Sequence, residues 1–318
     1  MKTVGLLITC ILLACARARG DTSYVTTFNS VVQINSIGQA TTFASGFSGG
    51  GPGGVALDSS SNIYVSDSSG GFGASTILKF TPSGQKTTFA SGLSLTYALA
   101  FDKNGNLYAA GDGVIEKLDS NGNASVFASG LFPALQGLAF DTSGNLYAAD
   151  NDKILKFSPE GQQSVFASGL TGAQGLAFDS SGNLYEADRA TESIFRFNAA
   201  GGKSLFANVA NTGGAGVLAG LAFDSIGNLL AVDQGNTGEA NGRIDKFDPS
   251  GSFSVFASPG MYQSRWIAVQ VPEPSAFILL ALGGAILLFR SLSNSLQRGV
   301  HDEGGRDFGL LCGGLRVV

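Results

Sequence analysis

The sequence predicts an all-β protein, a six-bladed β-propeller with four strands in each blade. Three observations carry this prediction. A motif that ends in aspartate recurs along the chain at steps of 44, 39, 38 and 45 residues. Each copy is followed by three further short apolar stretches, separated by Gly, Asn, Ser and Pro. The chain has 46 glycines and only 14% charged residues. Short, evenly spaced strands with turn residues between them are typical of propeller blades, whereas helical bundles need more charge and less glycine.

The first stretch of the repeat occurs five times, at residues 54–58, 98–102, 137–141, 175–179 and 220–224. Four residues after its aspartate an asparagine opens the second stretch, as Asp141 and Asn145 show. A calcium loop would need glycine at its sixth position, but here glycine comes fourth. We therefore interpret the motif as a turn in which the aspartate accepts backbone N–H groups.

Both ends of the chain are predicted to build the sixth blade. Residues 24–27, 31–34 and 41–43 match the second, third and fourth strands of the repeat, and residues 266–269 supply the missing first strand. This closure of three strands plus one leaves no open edge between the first and last blades.

Loop lengths separate the two faces of the predicted propeller. The Asp-to-Asn turn and the turn between the third and fourth strands have the same length in every repeat, and because strands alternate in direction both lie on one face, the invariant-turn face. The other connections vary, with long loops at residues 68–75, 208–217 and 234–242. We expect any ligand on this second face, the variable-loop face, since loops diverge there without disturbing the blades.

One aromatic residue of each fourth strand is predicted to fill the same position in the core. These are Phe43, Phe89, Phe127, Phe166, Phe206 and Phe256.

Candidate ligand-binding residues lie just before the first strands, around the mouth of the predicted channel. They are Tyr97, Gln136, Gln174, Arg265 and Trp266. Aromatic and amide side chains around a concavity suit stacking and hydrogen bonding to sugars. The alternative is that the aromatic residues cap the channel while the amides bond loop backbone.

Four aspartates end second strands at the variable-loop face and are candidate ligands of a divalent cation. They are Asp67, Asp150, Asp188 and Asp233. Each could equally cap a loop or pair with a neighbour such as Lys153 or Arg189. No other cofactor is expected.

The N-terminus has the pattern of a secretory signal peptide, residues 1–18. Lys2 precedes the apolar run 4–14, and Ala16 and Ala18 offer a small-x-small cleavage site. In a second interpretation Cys15 becomes a lipidated N-terminus. Residues 21–270 contain no cysteine, so the exported domain would need no disulfide.

The C-terminal segment has a distinct order of elements. Val271, Pro272, Glu273 and Pro274 precede the apolar run 276–289, which Arg290 closes. This order resembles the PEP-CTERM sorting signal, residues 271–290. The resemblance implies an exosortase partner, export machinery and a short membrane helix that is removed on sorting in bacteria that make exopolysaccharide. Residues 291–318 are a polar tail that we expect to be disordered or to arise from a misplaced stop.

The repeats in residues 23–270 resemble the NHL and SMP-30/gluconolactonase-like propellers. That group includes lactonases, lyases and binding modules. Its lactonases hold a metal through a Glu, Asn and Asp set, but here no glutamate precedes Glu116 in the module. Its streptogramin-lyase-like members use a catalytic histidine, and the one histidine, His301, lies beyond the sorting signal.

The sequence therefore predicts an exported propeller, residues 19–270, that is a noncatalytic binding or matrix module of the cell envelope, surface or exopolysaccharide. Its partners would be polysaccharide or another envelope protein. The alternative is a metal-dependent lactonase or hydrolase. A net charge of −5 and a pI near 4.9 argue against nucleic acid as a partner.

Overall fold

The computed structural model describes residues 20–47, 51–68, 74–209, 217–234, 241–261 and 264–271. All regular secondary structure in these ranges consists of β-strands. The predicted signal peptide 1–18, the residues Pro272, Glu273, Pro274 and Arg290, the apolar run 276–289 and the tail 291–318 lie outside this part. Within the described ranges, no helix has the length and apolar character needed to cross a membrane.

The strands form five antiparallel sheets. The first contains β1 (Thr22–Thr26), β2 (Ser30–Ile34) and β3 (Ala40–Ser45), joined by the last strand of the chain. The second contains β4 (Pro52–Leu57), β5 (Ile63–Asp67), β6 (Ser75–Phe80) and β7 (Lys86–Leu93). The third contains β8 (Ala98–Phe101), β9 (Leu107–Gly111), β10 (Val114–Leu118) and β11 (Ala124–Ser129).

The fourth sheet has six strands: β12 (Leu138–Phe140), β13 (Leu146–Phe157), β14 (Gln163–Phe178), β15 (Leu184–Asp188), β16 (Ser193–Phe197) and β17 (Lys203–Asn208). The fifth contains β18 (Leu218–Phe223), β19 (Leu229–Asp233), β20 (Gly242–Phe247) and β21 (Phe253–Met261). The last strand, β22 (Ile267–Gln270), belongs to the first sheet.

The predicted closure of the propeller by both ends of the chain is confirmed. Strand β22 pairs with β1 in a register that sets Thr22 opposite Gln270 and Val25 opposite Ile267. The Arg265 N–H also donates to the Thr26 carbonyl at 2.9 Å. The first sheet therefore has the order β22-β1-β2-β3, three strands from the N-terminus and one from the C-terminus.

The prediction of six separate four-stranded blades is wrong, because the six sequence repeats are distributed over five sheets. The cause lies in β14, which continues from one repeat into the next. Its residues 163–168 pair with β13 and its residues 176–178 pair with β15. Between them Ala173 pairs with both Asn151 and Asp188, with a register shift on either side, and two repeats therefore share one six-stranded sheet.

The core consists of six hydrophobic clusters, and each contains or contacts one of the six predicted phenylalanines. The packing around Phe166 shows how a cluster is built. The Tyr147 ring meets Phe166 of the fourth strand edge-to-face, with centroids 5.0 Å apart. It meets Phe178 of the next repeat at 5.0 Å as well. The predicted core position of these phenylalanines is confirmed.

The interpretation of the Asp-to-Asn motif as a turn is also confirmed. Asp141 Oδ1 accepts the Asn145 N–H at 2.8 Å, and Oδ2 accepts the Asn145 side-chain amide at 2.7 Å. The same pair of bonds recurs in the other four copies, whose aspartates are Asp58, Asp102, Asp179 and Asp224.

Candidate functional site

The first strands of the repeats form the inner ring, and glycine lets them approach closely. A Cβ on Gly137 would overlap the Gln174 carbonyl oxygen, and one on Gly175 would overlap the carbonyl oxygen of Ala219. At Gly220 it would lie 2.9 Å from the Arg265 carbonyl oxygen. These contacts explain why four of the five copies of the first stretch begin with glycine, since a side chain at these positions would push neighbouring strands apart; only the copy at 98–102 begins with alanine.

The centre of the inner ring is a cavity of only about 50 Å³. Its walls come from glycine and apolar residues of five inner strands: Gly54, Val55, Ala98, Leu99, Gly137, Leu138, Gly175, Leu176, Trp266 and Ile267. A water molecule takes up about 30 Å³ in the liquid, whereas pockets for small molecules measure roughly 300 to 1,000 Å³. The centre is therefore too small for a sugar or a lactone, and its walls carry no side chain that would bind a metal.

Four of the predicted ligand-binding residues lie together where the inner strands begin. Tyr97, Gln136 and Arg265 precede β8, β12 and β22, Gln174 lies within β14 just before the part that pairs with β15, and all four are partly buried. Backbone bonds hold them there, since the Tyr97 N–H donates to the Ala110 carbonyl at 2.8 Å. Burial raises the pKa of Tyr97, and the positive charge of Arg265 acts in the opposite direction. This mouth has phenol, amide and guanidinium groups for hydrogen bonding to a polar ligand.

The fifth predicted ligand-binding residue, Trp266, belongs to the core rather than to an open surface. Its side chain is buried in the cluster that contains Phe47, Val55 and Tyr24. The Trp266 backbone N–H donates to Thr26 Oγ1 at 3.2 Å. The indole in this position lines the central cavity and offers no exposed platform for stacking.

Two of the candidate metal ligands are held by hydrogen bonds to neighbouring backbone. Asp150 Oδ1 accepts the Phe132 N–H at 2.8 Å, and its Oδ2 lies 3.1 Å from Lys153 Nζ. Asp188 accepts the N–H groups of Thr171 and Thr191 at 2.9 and 3.0 Å. Burial acts to raise the pKa of Asp188, but these hydrogen bonds outweigh it and the pKa is lowered.

The other two, Asp67 and Asp233, are buried at the ends of their strands, and Asp233 Oδ2 lies 3.6 Å from Arg243 Nε. The four aspartates are not brought together. Throughout the described ranges, no three residues of the types His, Cys, Asp and Glu are grouped so that they could bind a metal.

Two buried carboxyl groups escaped the sequence analysis. Glu186 on β15 is completely buried, and neither of its carboxyl oxygens has a hydrogen-bond partner among the described residues. Burial raises its pKa to about 8, and the negative charge of Asp188 adds to the rise. The sequence did contain a signal, because the equivalent position is occupied by Val25, Val65, Ala109, Ala148 and Ala231 in the other repeats.

The second buried carboxyl is Asp245 on β20, which Arg243 Nε approaches to 2.7 Å at Oδ1. Burial raises the pKa of Asp245 to about 6, against the opposing charge of Arg243. Since Arg243 also lies close to Asp233, its guanidinium forms ion pairs with two carboxylates next to the variable-loop face.

A larger cavity, of about 640 Å³, lies on the invariant-turn face and not where a ligand was expected. We call it the turn-face groove. It separates the Asp179 turn of the fourth sheet from the Asp224 turn of the fifth, and it is lined by Tyr185, Arg196, Phe206, Phe223 and Asp248 among others. Val271, the one residue of the predicted sorting signal within the described ranges, lies at its edge and is about half exposed.

Solved structures share this architecture. A structure of a nidogen/laminin complex aligns with a TM-score of 0.69 at 18% identity, over 80% of this chain and 100% of that chain. The virginiamycin B lyase of Staphylococcus aureus aligns with a TM-score of 0.53 at 14% identity, over 65% of this chain and 70% of that chain. A streptogramin B lyase aligns at 0.54 and 16% identity, over 75% and 74% of the two chains.

No protein-family model matches the chain, and no curated protein sequence matches it either. The identities to the solved structures are low, so that the likeness concerns the fold and not the activity. On the fold the sheets and the neighbours agree: the chain is an all-β propeller of small antiparallel sheets.

Proposed function

We propose that this chain is an exported, noncatalytic β-propeller that serves as a binding or matrix module at the bacterial envelope or in exopolysaccharide. The observation that carries the proposal is the central cavity of about 50 Å³ with walls of glycine and apolar side chains. A cavity of this size is too small for a substrate, and its lining offers no catalytic side chain.

The state of the candidate catalytic groups also favours a binding function over catalysis. Asp150 and Asp188 already accept the backbone N–H groups of Phe132 and Thr171, and using the carboxylates as metal ligands would compete with these hydrogen bonds. The one histidine of the chain, His301, follows the proposed sorting signal. The two lyases that share the fold are enzymes, but their activity is not carried over at 14% and 16% identity.

The mouth formed by Tyr97, Gln136, Gln174 and Arg265 supports a polar ligand such as polysaccharide. Its groups are partly exposed, whereas the interior beneath them is closed. Hydrogen bonding at the rim of a closed propeller binds a chain from outside without drawing it into the centre.

The export part of the proposal rests on residues 1–18 and 271–290. Both ends of the described region lie on the invariant-turn face, because Asp21 accepts the Ser225 N–H at 2.7 Å and Val271 lies beside the turn-face groove. The mouth is at the opposite ends of the inner strands. An attachment through either terminus would thus leave the mouth accessible.

Metal dependence separates this proposal from the lactonase alternative. Residues 20–272 form a compact unit with its own core, and its two ends pair with each other, so this segment is suitable for expression by itself. Its thermal unfolding is measured with EDTA and then with millimolar Ca²⁺, Mg²⁺, Mn²⁺ or Zn²⁺. We expect no shift. A cation at 100 times its Kd would add about 2.7 kcal/mol, or roughly 5 to 10 °C, and would overturn the proposal in favour of a metal-dependent hydrolase.

Binding is tested with fluorescently labelled acidic and neutral bacterial exopolysaccharides. Tyr97→Ala and Arg265→Ala are expected to weaken binding roughly tenfold, which is the effect of losing about 1.4 kcal/mol. Lys103→Ala on the invariant-turn face is the matched control and should bind as the unaltered protein does. Equal binding by all variants would remove the mouth from the proposal.

Sorting is tested in a bacterium that has an exosortase, by mass spectrometry of the mature ends. We expect cleavage near Pro272–Pro274 in the unaltered chain and accumulation of an uncut form in Glu273→Ala. The mature N-terminus distinguishes a start near Arg19 from a lipidated Cys15. Identical C-termini in the unaltered chain and in Glu273→Ala would overturn the proposed sorting.

A further inference from the structure

The turn-face groove has an internal counterpart elsewhere in the same chain. The counterpart lies between the second and third sheets, where Asp58, Asp102 and Asp119 correspond to Asp179, Asp224 and Asp248 by their positions in the repeat. The aromatic residues correspond as well: Tyr64, Phe89 and Phe101 match Tyr185, Phe206 and Phe223. In both grooves the tyrosine meets the two phenylalanines edge-to-face, at 5.0 and 4.9 Å in the counterpart and at 5.0 and 5.1 Å in the turn-face groove.

The two grooves differ in the cation on the third strand. In the counterpart, Lys79 Nζ lies 5.1 Å from the Tyr64 ring centroid and 3.9 Å from Asp58 Oδ2. Two further repeats also place a lysine over the tyrosine ring, with Lys117 Nζ 5.5 Å from the Tyr108 centroid and Lys156 Nζ 5.3 Å from the Tyr147 centroid. Three times in this chain a primary ammonium group therefore lies over the tyrosine ring at this position, and in the counterpart it also lies beside an aspartate carboxylate.

In the turn-face groove the corresponding residue is Arg196, whose side chain is exposed. Arg196 interacts with the Tyr185 hydroxyl through its charge and a side-chain hydrogen bond. The described cation–π contacts include none over the Tyr185 ring, so that the face of this ring carries no cation among them. A planar guanidinium has different requirements from a compact ammonium. The cavity of about 640 Å³ opens beside this ring, within the size range of small-molecule pockets.

The charges of the groove favour a cation. The lining of the groove contains three carboxylates, those of Asp179, Asp224 and Asp248, and one cationic side chain, Arg196. Lys246, which is not part of the lining, lies 3.5 Å from the Asp224 carboxylate. Asp248 has no ion-pair partner among the described residues. Hydrogen bonds from the Ser250 side chain and the Ser252 and Ser250 backbone lower the pKa of Asp248, so that it is charged at neutral pH. The first partner of an incoming ammonium would be this carboxylate.

From this comparison we propose that the turn-face groove binds a ligand through a primary alkylammonium group, placed over Tyr185 and next to Asp179 and Asp248, as the chain's own lysines are placed in the other repeats. The ligand chemistry is that of a lysine side chain or a free alkyl amine. The site lies on the face opposite the mouth and does not depend on the proposed function.

The test uses NMR titration of the 20–272 segment, with the amides of Ser181 and Gly227 as reporters of the groove. The probes are 1,5-diaminopentane, Nα-acetyl-lysine methylamide and, as a neutral control, the same lysine derivative acetylated at Nζ. Cation–π and exposed ion-pair contacts are each weak, and we therefore expect a Kd on the order of 1 mM for both amines and no saturable shift with the neutral control. The ratio of the two affinities distinguishes a free amine from a lysine side chain.

The decisive variant is Arg196→Lys, which keeps the charge and supplies the ammonium that the other repeats contain. We expect it to occupy the site and to weaken amine binding at least tenfold, with an unchanged unfolding temperature. Asp248→Asn should weaken binding roughly fivefold, because it removes one exposed ion pair. Asp119→Asn in the counterpart groove, which Lys79 already fills, is the matched control and should bind amine normally.

Lys79→Arg is the converse variant and should create a second amine site next to Tyr64. Three outcomes would overturn the proposal: no saturable binding of either amine, equal binding of the amine and its acetylated control, or undiminished binding by Arg196→Lys. None of them bears on polysaccharide binding at the mouth, so that failure here and failure of the proposed function are separate results.

Discussion

The buried carboxyl of Glu186 makes the stability of the propeller dependent on pH. Glu186 lies opposite Leu176 of β14 and Phe195 of β16. Strand alternation directs it to the same side as Leu184, which packs with Tyr147 and Phe197. The charges that act on it are Asp188, which raises its pKa, and Lys203, which lowers it. An ionised carboxylate at this place would have neither water nor a described hydrogen-bond partner, and the folded chain therefore retains the proton.

The magnitude follows from the pKa of about 8 in the folded chain and the ordinary value of 4.5. Between these values the folded chain binds one proton more than the unfolded chain, so the free energy of unfolding falls as pH rises. The contribution of the neutral form is fully present below pH 4.5 and is lost as pH approaches 8. The slope for one proton is about 1.4 kcal/mol per pH unit, and the whole loss is on the order of 5 kcal/mol.

The assay is urea unfolding of the 20–272 segment, followed by circular dichroism, between about pH 6.5 and pH 8. This interval avoids Asp245, whose pKa of about 6 gives a loss of the same sign at lower pH. The segment has no histidine that would titrate in the same interval. We expect the unaltered protein to lose about 2 kcal/mol over this interval and Glu186→Gln, which mimics the protonated form, to lose close to nothing.

Two controls complete the experiment. Glu160→Gln changes an exposed glutamate in a turn and should keep the slope of the unaltered protein. Glu186→Leu should be more stable than the unaltered protein at pH 8, because it removes the buried carboxylate altogether. If the unaltered protein and Glu186→Gln have the same slope, the argument from burial is refuted.

Two further predictions concern packing, and urea unfolding near pH 6.5 tests both. Phe166→Ala should lower the free energy of unfolding by about 3 kcal/mol, because it removes the ring that packs against Tyr147 and Phe197, whereas Val165→Ala at the 59% exposed neighbouring position should change it little. A loss below about 1 kcal/mol in Phe166→Ala would contradict the repeat register. Gly175→Ala should cost about 1 to 3 kcal/mol because its Cβ overlaps the Ala219 carbonyl oxygen, and the control Gly172→Ala, whose Cβ has its nearest neighbour at 3.3 Å, should cost less. Equal effects at the two glycines would show that the inner strands are not in tight contact.

The parts of the structure that could be predicted are those that depend on neighbours in the chain. The Asp141 turn is set within five residues by hydrogen bonds from Asn145 to the Asp141 carboxylate. For this reason it could be identified from its residue pattern alone. The closure of β1 by β22 was predictable for a related reason, since each repeat has the same four stretches and the first repeat lacks only one of them. Regular spacing also placed the six phenylalanines correctly.

The candidate site could be predicted only in part. The position of Tyr97, Gln136, Gln174 and Arg265 at the ends of inner strands followed from the alignment of repeats. The width of the channel did not, because it depends on how closely strands distant in sequence approach, and Gly137 and Gly175 reveal their role only once their neighbours are in place. Trp266 was expected at an open mouth but is buried, because the inner strands approach each other closely.

By itself the sequence determined the all-β repeat, its turns, the joining of its two ends and the division between an invariant and a variable face. These features depend on the two-residue periodicity of strands and on short turns, which are local. Only the tertiary structure decided that β14 runs on between two repeats, that Glu186 is buried without a described hydrogen-bond partner and that a groove opens beside Tyr185. Each of these depends on contacts between side chains or strands of different repeats, and such contacts are set by packing in three dimensions.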